Sequence, residues 1–181
     1  MKDEKIEKFI AYLEEEFREI EKRVVRLEVT SALGHFMTDA VERAAIKAGF
    51  LPCEEVKRSI FLPQVTRNEK ERLDLILFDE QGNAAAAVEV EQKYGDDVEK
   101  AVGRLKGIKI PWKILIIHPL SNKRDKEREN SVWERAKNEV RKAMQEDKGS
   151  CWLLLRVLSR DEPLAGKLGR RIFMGIERYP S

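Results

Sequence analysis

Residues 72–93 read RLDLILFDEQGNAAAAVEVEQK. Leu73, Leu75 and Leu77 alternate with Asp74, Ile76 and Phe78, and beyond Gly82-Asn83 the residues Val88 and Val90 alternate with Glu89, Glu91 and Lys93. This period of two predicts a β-hairpin. A loop of two residues (Gln81-Gly82) or four (Glu80 to Asn83) sets Asp74 opposite Glu89 and diagonal to Glu91. A loop of odd length turns Asp74 to the other face. In the even register one face begins near the turn with Ile76, Phe78, Ala85 and Ala87 and ends with Asp74, Glu89, Glu91 and Lys93. Carboxylates held this close raise one another's pKa values unless a cation neutralises them. The plainer reading of E-x-E-x-K is a solvated face of mixed charge. Asp74, which interrupts an otherwise apolar strand, favours a site, and oxygen-only ligands point to Mg²⁺ or Mn²⁺.

With Asp on one strand and an acid followed two residues later by Lys on the next, the hairpin resembles the PD-(D/E)XK nuclease superfamily, which includes restriction enzymes and archaeal Holliday junction resolvases. Asp74 matches the first acid, Glu91 the second and Lys93 the lysine, while Leu73 stands in place of the name-giving proline. In a second register Glu89 is the second acid and Glu91 replaces the lysine, the E-x-E variant of the family. The resemblance also implies an acid from the helix preceding the sheet: the segment AVERAAIKAGF offers Glu42, with Asp39 as the alternative.

Charged residues make up 38% of the 181-residue chain, against about 25% in typical proteins, and the Lys and Glu excess suits a thermophilic source. The length favours one domain with an appended helix. No apolar run is long enough to span a membrane and the charged N-terminus does not read as a signal peptide, so a cytoplasmic protein is expected. Cys53 and Cys151 are too isolated for a disulfide framework or a zinc site and read as buried thiols. The net charge of +2 announces no nucleic acid, but residues 104–128 hold eight basic residues against two acids, a local net of +6.

Ile6, Ile10, Leu13, Phe17, Ile20, Val24 and Leu27 recur at 4-3 spacing and predict one long heptad helix, residues 1–29, ahead of a domain at 30–181. The seam either packs on its own domain or forms a homodimer, in which case Glu7, Glu14, Glu21 and Glu28 must meet basic residues. A second helix runs from the Thr30-Ser31 cap to Ala48, burying Met37, Ala40, Val41, Ala44, Ala45 and Ala48. Strands are predicted at 57–65, in the hairpin and at 113–120, the last apolar throughout and therefore covered on both faces. A helix over 98–105 carries Lys100 and Arg104 on one face. Residues 122–130 read as a charged loop with Lys123 and Arg124, followed by a helix over 131–147 and a buried strand at CWLLLRVL.

The fold class is thus mixed α/β. Its order, helix, three strands, helix, strand, is the αβββαβ core that the resemblance implies, here with an N-terminal heptad helix and a C-terminal helix-strand extension. The implied activity is metal-dependent DNA endonuclease cleavage, with Asp74, Glu91 and Lys93 catalytic, with Asp74, Glu91, Glu89 and Glu42 around Mg²⁺ or Mn²⁺, and with Lys100, Arg104, Lys123 and Arg124 on the DNA. A nuclease-like module that binds nucleic acid or a protein without cutting is the competing expectation, and a nuclease subunit that needs a partner is a third.

Overall fold

The computed structural model describes residues 3–27, 33–62, 71–91, 96–117, 126–157 and 173–180. Helices α1 (Glu4–Leu27) and α2 (Leu33–Lys47) come first, then strand β1 (Leu51–Lys57), a 3₁₀ turn (Arg58–Phe61) and the hairpin β2 (Arg72–Phe78) and β3 (Ala84–Glu91). After these follow α3 (Asp96–Leu105), β4 (Trp112–Ile117), α4 (Lys126–Glu146), β5 (Cys151–Val157) and β6 (Phe173–Tyr179).

The strands form one sheet in the order β1-β2-β3-β4-β5-β6. The first three run antiparallel, β3, β4 and β5 are parallel neighbours, and β6 closes the far edge antiparallel to β5. Parallel neighbours need a crossover, and α3 and α4 supply the two crossovers. Both bury apolar residues in a core with Ile76, Ala87, Leu115 and Leu154. On the other face α1 and α2 cover Leu75, Leu77, Val88, Ile114 and Leu153. The sheet is thus covered on both faces, which accounts for the unbroken apolar run in β4.

Ile6, Ile10, Leu13 and Phe17 of the heptad seam are buried in the same core as Met37, Ala40 and Ala44 of α2. No boundary between cores therefore falls at residue 29. A second copy could not use this part of the seam, and the side chains of Ile20, Val24 and Leu27 lie outside the described ones. The two described glutamates of the acidic flank meet bases within the chain: Glu7 accepts two bonds from Arg178 of β6, at 3.1 and 2.9 Å, and Glu14 pairs with Arg18. Glu16, with a side chain only 10% exposed, accepts from Arg43 at 2.7 Å and Lys47 at 2.6 Å and clamps α1 to α2. Because both bases are half-exposed, Glu16→Ala is expected to cost about 1–2 kcal/mol in urea denaturation; a loss indistinguishable from zero would show the clamp to be inert. At the end of α2, Gly49 takes φ +85°, and the N–H groups of Gly49 and Phe50 reach the Ile46 and Ala45 carbonyls, a glycine-dependent helix stop.

Four expectations need correction. The first strand is Leu51–Lys57 rather than 57–65. It is an edge strand and exposes Glu54 and Glu55, so it has no apolar rhythm, and an edge tolerates Pro52. The segment read as that strand begins instead with the 3₁₀ turn, which tucks Phe61 and Leu62 against the core. Helix α4 starts at Lys126, so the end of the expected charged loop is helical. Cys53 is exposed on β1 and Cys151 only half-buried.

Candidate active site

The hairpin register pairs Leu75 with Val88, Ile76 with Ala87 and Leu77 with Ala86. Continued by one step, it sets Asp74 opposite Glu89, as the even-loop reading expects. The route differs: five residues, 79–83, separate the strands, and a bulge leaves Ala85 unpaired before Phe78 meets Ala84, restoring the parity. The bulge also turns Ala85 to the α1/α2 core, and Ala84 takes its expected place beside Phe78. Asp79 closes the loop by accepting the Gln81 and Asn83 N–H groups, while Gly82 takes φ +79°.

Beyond Leu75 and Val88 the two strands are joined by side chains. The Val90 N–H donates to Asp74 Oδ2 at 2.8 Å, and the Asp74 N–H donates to Glu89 Oε1 at 3.4 Å. Glu89 is fully buried, and its other oxygen, Oε2, accepts from Arg104 Nε at 2.7 Å and from Arg104 Nη2. The same Nη2 lies 3.9 Å from Glu91, whose side chain is 14% exposed. On the far side of Asp74, the β1 register places Glu55 opposite it, between the pairs Glu54–Leu75 and Val56–Leu73. Glu55 has φ +52°, a left-handed conformation that a non-glycine residue holds only when its surroundings enforce it. The cluster sits at the C-terminal end of β3, where parallel strands commonly place ligand sites.

Burial drives the electrostatics. It raises the Asp74 pKa against the pull of the Val90 N–H and Arg104, and the nearby Glu55 charge adds to the rise. Burial also pushes Glu89 up, to about 8, with Asp74 adding to the rise and Arg104 opposing it. A carboxyl raised in the fold keeps a proton that the unfolded chain releases, so this group's stabilisation is complete below about pH 4.5 and is lost as pH rises through about 8. Unfolding free energies measured from pH 4.5 to 8 are expected to fall more steeply for the parent than for Glu89→Gln; parallel curves would remove Glu89 as the titrating group.

The structure brings Asp74, Glu89, Glu91 and Arg104 together. It does not bring Glu42 to them: Glu42 lines a shallow groove with Glu80 and Leu51 at the turn end of the hairpin, on the α2 side of the sheet, and Asp39 is exposed. Lys93, Lys123 and Arg124 lie outside the described residues. Lys100 is solvated and 3.4 Å from Asp97. Arg104, expected on the DNA, is instead the counter-ion of Glu89. Of the basic segment 104–128, Lys113 points inward: it is fully buried, ion-paired with Asp147, and 5.4 Å from the Trp152 ring. Two contributors escaped the sequence reading. Glu55 belongs to an edge strand with no apolar signal, and Arg58 donates to the Gly103, Arg104 and Lys106 carbonyls, capping the helix that carries Arg104.

No family model, curated protein or solved structure matches the chain. Among the described residues, no three His, Cys, Asp or Glu side chains converge closely enough to hold a metal ion. The donor chemistry still suits a hard divalent ion: Asp74 is a half-buried carboxylate with no cationic partner among the described residues, beside two further carboxylates that share one guanidinium. No described helix is long and apolar enough to cross a membrane.

Proposed function

We propose that the chain is a metal-dependent DNA endonuclease of the PD-(D/E)XK type. The observation that carries this reading is the position of Asp74: half-buried, with no ion-pair partner among the described residues, opposite the E-x-E strand, between a strained Glu55 and the Glu89–Arg104 pair. The order α2-β1-β2-β3-α3-β4 supports it, being the αβββαβ sequence that the resemblance implies.

Asp74 and a glutamate of the E-x-E pair would hold Mg²⁺ or Mn²⁺, which would supply positive charge to acidify a water and to offset the phosphate charge. The chain's own residues do the rest. Asp74 is fixed by its bond from the Val90 N–H, which orients its carboxylate before substrate arrives. Lys93, two residues past Glu91, orients the attacking water or offsets phosphate charge. Lys100, Lys123 and Arg124 offer the sugar-phosphate backbone its counter-charge.

Calorimetric titration of Mn²⁺ into the parent and Asp74→Ala/Glu91→Ala proteins, followed by cleavage of linear, circular and branched DNA, tests the reading. Metal binding lost in the variant together with cleavage by the parent supports it. Folded parent protein that binds no metal and cuts none of the three substrates sinks it. The internal Glu89–Arg104 pair, which neutralises part of the cluster without a metal, favours a second reading: a non-cleaving module that binds nucleic acid or a protein. DNA binding that survives both substitutions and needs no metal would select that alternative.

A further inference from the structure

Asp74, Glu89 and Glu91 lie at one end of the hairpin, and the structure differentiates between the two glutamates. Glu89 has both oxygens engaged: Oε1 by the Asp74 N–H, and Oε2 by two nitrogens of Arg104. Its side chain is fully buried, whereas that of Glu91 reaches solvent. For Glu89 to join a metal, Arg104 must leave it. Arg104 itself is held: Arg58 ties the last turn of α3 through three carbonyls, one of them that of Arg104, and Arg58 pairs with Glu71 at 3.2 Å.

We propose that Arg104 is a positioning residue that withholds Glu89 from the metal, so that Asp74 and Glu91 are the acids that bind it. This rests on the nuclease reading and chooses between its two registers, making Glu91 the second acid. A guanidinium suits the task better than an ammonium because its planar fork places two donors on one carboxylate oxygen and stays charged in a half-buried position. With the metal bound, Arg104 remains on Glu89 and keeps a third buried carboxylate from adding charge to the ion. An ion held by fewer charged ligands retains more of its power to polarise water and phosphate.

The test is Mn²⁺ affinity, measured by calorimetry and by the electron paramagnetic resonance signal of free Mn²⁺, with no cleavage readout needed. Glu89→Gln keeps one oxygen for Arg104 and gives up the longer bond from the Asp74 N–H, and with both acids assigned to the ion untouched it is expected to hold Mn²⁺ within about twofold of the parent. Arg104→Met frees Glu89 and is expected to tighten Mn²⁺ about tenfold, since affinity rises with the number of charged ligands. The double variant Arg104→Met/Glu89→Gln should lose that gain, and Arg104→Lys should return toward the parent. Tenfold weaker binding in Glu89→Gln would make Glu89 a ligand and overturn the inference alone. So would Arg104→Met binding no tighter than the parent. Should Arg104→Met fail to fold, the Glu89→Gln result decides by itself. A parent that binds no Mn²⁺ overturns the nuclease reading and this inference with it.

Discussion

Asp74→Asn is expected to slow Mg²⁺-dependent DNA cleavage by about a thousandfold while leaving the fold intact. The asparagine oxygen can still accept the Val90 N–H, so the strands stay joined at this point. What disappears is the charge, and a metal-ion contribution of several kcal/mol corresponds to roughly three powers of ten in rate. The same substitution removes a half-buried charge crowded by Glu89 and Glu55, both of which lie beside Asp74. The variant should therefore unfold at the same temperature as the parent or higher, the pattern of a residue kept for chemistry at some cost in stability. Single-turnover cleavage together with thermal melts at pH 8 checks both halves. Cleavage within tenfold of the parent would remove Asp74 from the reaction, and a large drop in melting temperature would make it structural.

The largest expected effect on stability comes from Arg104→Ala. It leaves the fully buried carboxylate of Glu89 facing a space where two donors stood. Breaking a buried ion pair from one side costs about 3–5 kcal/mol. The lower end applies here because Glu89, already raised to about 8 by burial, escapes part of the cost by taking a proton. The loss should consequently be greater at pH 8 than at pH 5, and Arg104→Ala/Glu89→Gln should recover much of it. Added Mn²⁺ is expected to restore stability to the single variant through preferential binding to the folded state. Denaturant titrations at the two pH values measure this directly, and a pH-independent loss would point to side-chain packing instead of charge.

Much of the architecture was legible because periodicity reports burial. The hairpin, the doubly covered β4 and the inward face of α2 all followed from which residues recur. Parity placed Asp74 opposite Glu89 even though the loop was not of the expected length, because only whether the count is even or odd matters and the bulge at Ala85 supplied the missing step. Elements without an apolar rhythm were illegible for the same reason: β1 lies at an edge with its glutamates in solvent, and the first turn of α4 is charged. At the site, the sequence placed Arg104 on the right helix and the same face as Lys100. It could not say that this face turns toward Glu89, fifteen residues earlier, because that depends on how α3 crosses the sheet.

The contact between Glu7 and Arg178 joins residues 171 positions apart. On a ribosome adding about 5–20 residues per second, roughly ten to thirty seconds separate the synthesis of the two. Throughout that interval Ile6, Phe9, Ile10, Leu13 and Phe17 belong to a helix whose complete cover includes Leu153 and Leu155 of β5. A segment made well before β5 and β6 is thus among the last to be fully enclosed. That order of assembly makes the nascent chain, more than the finished protein, the state that needs shielding from aggregation.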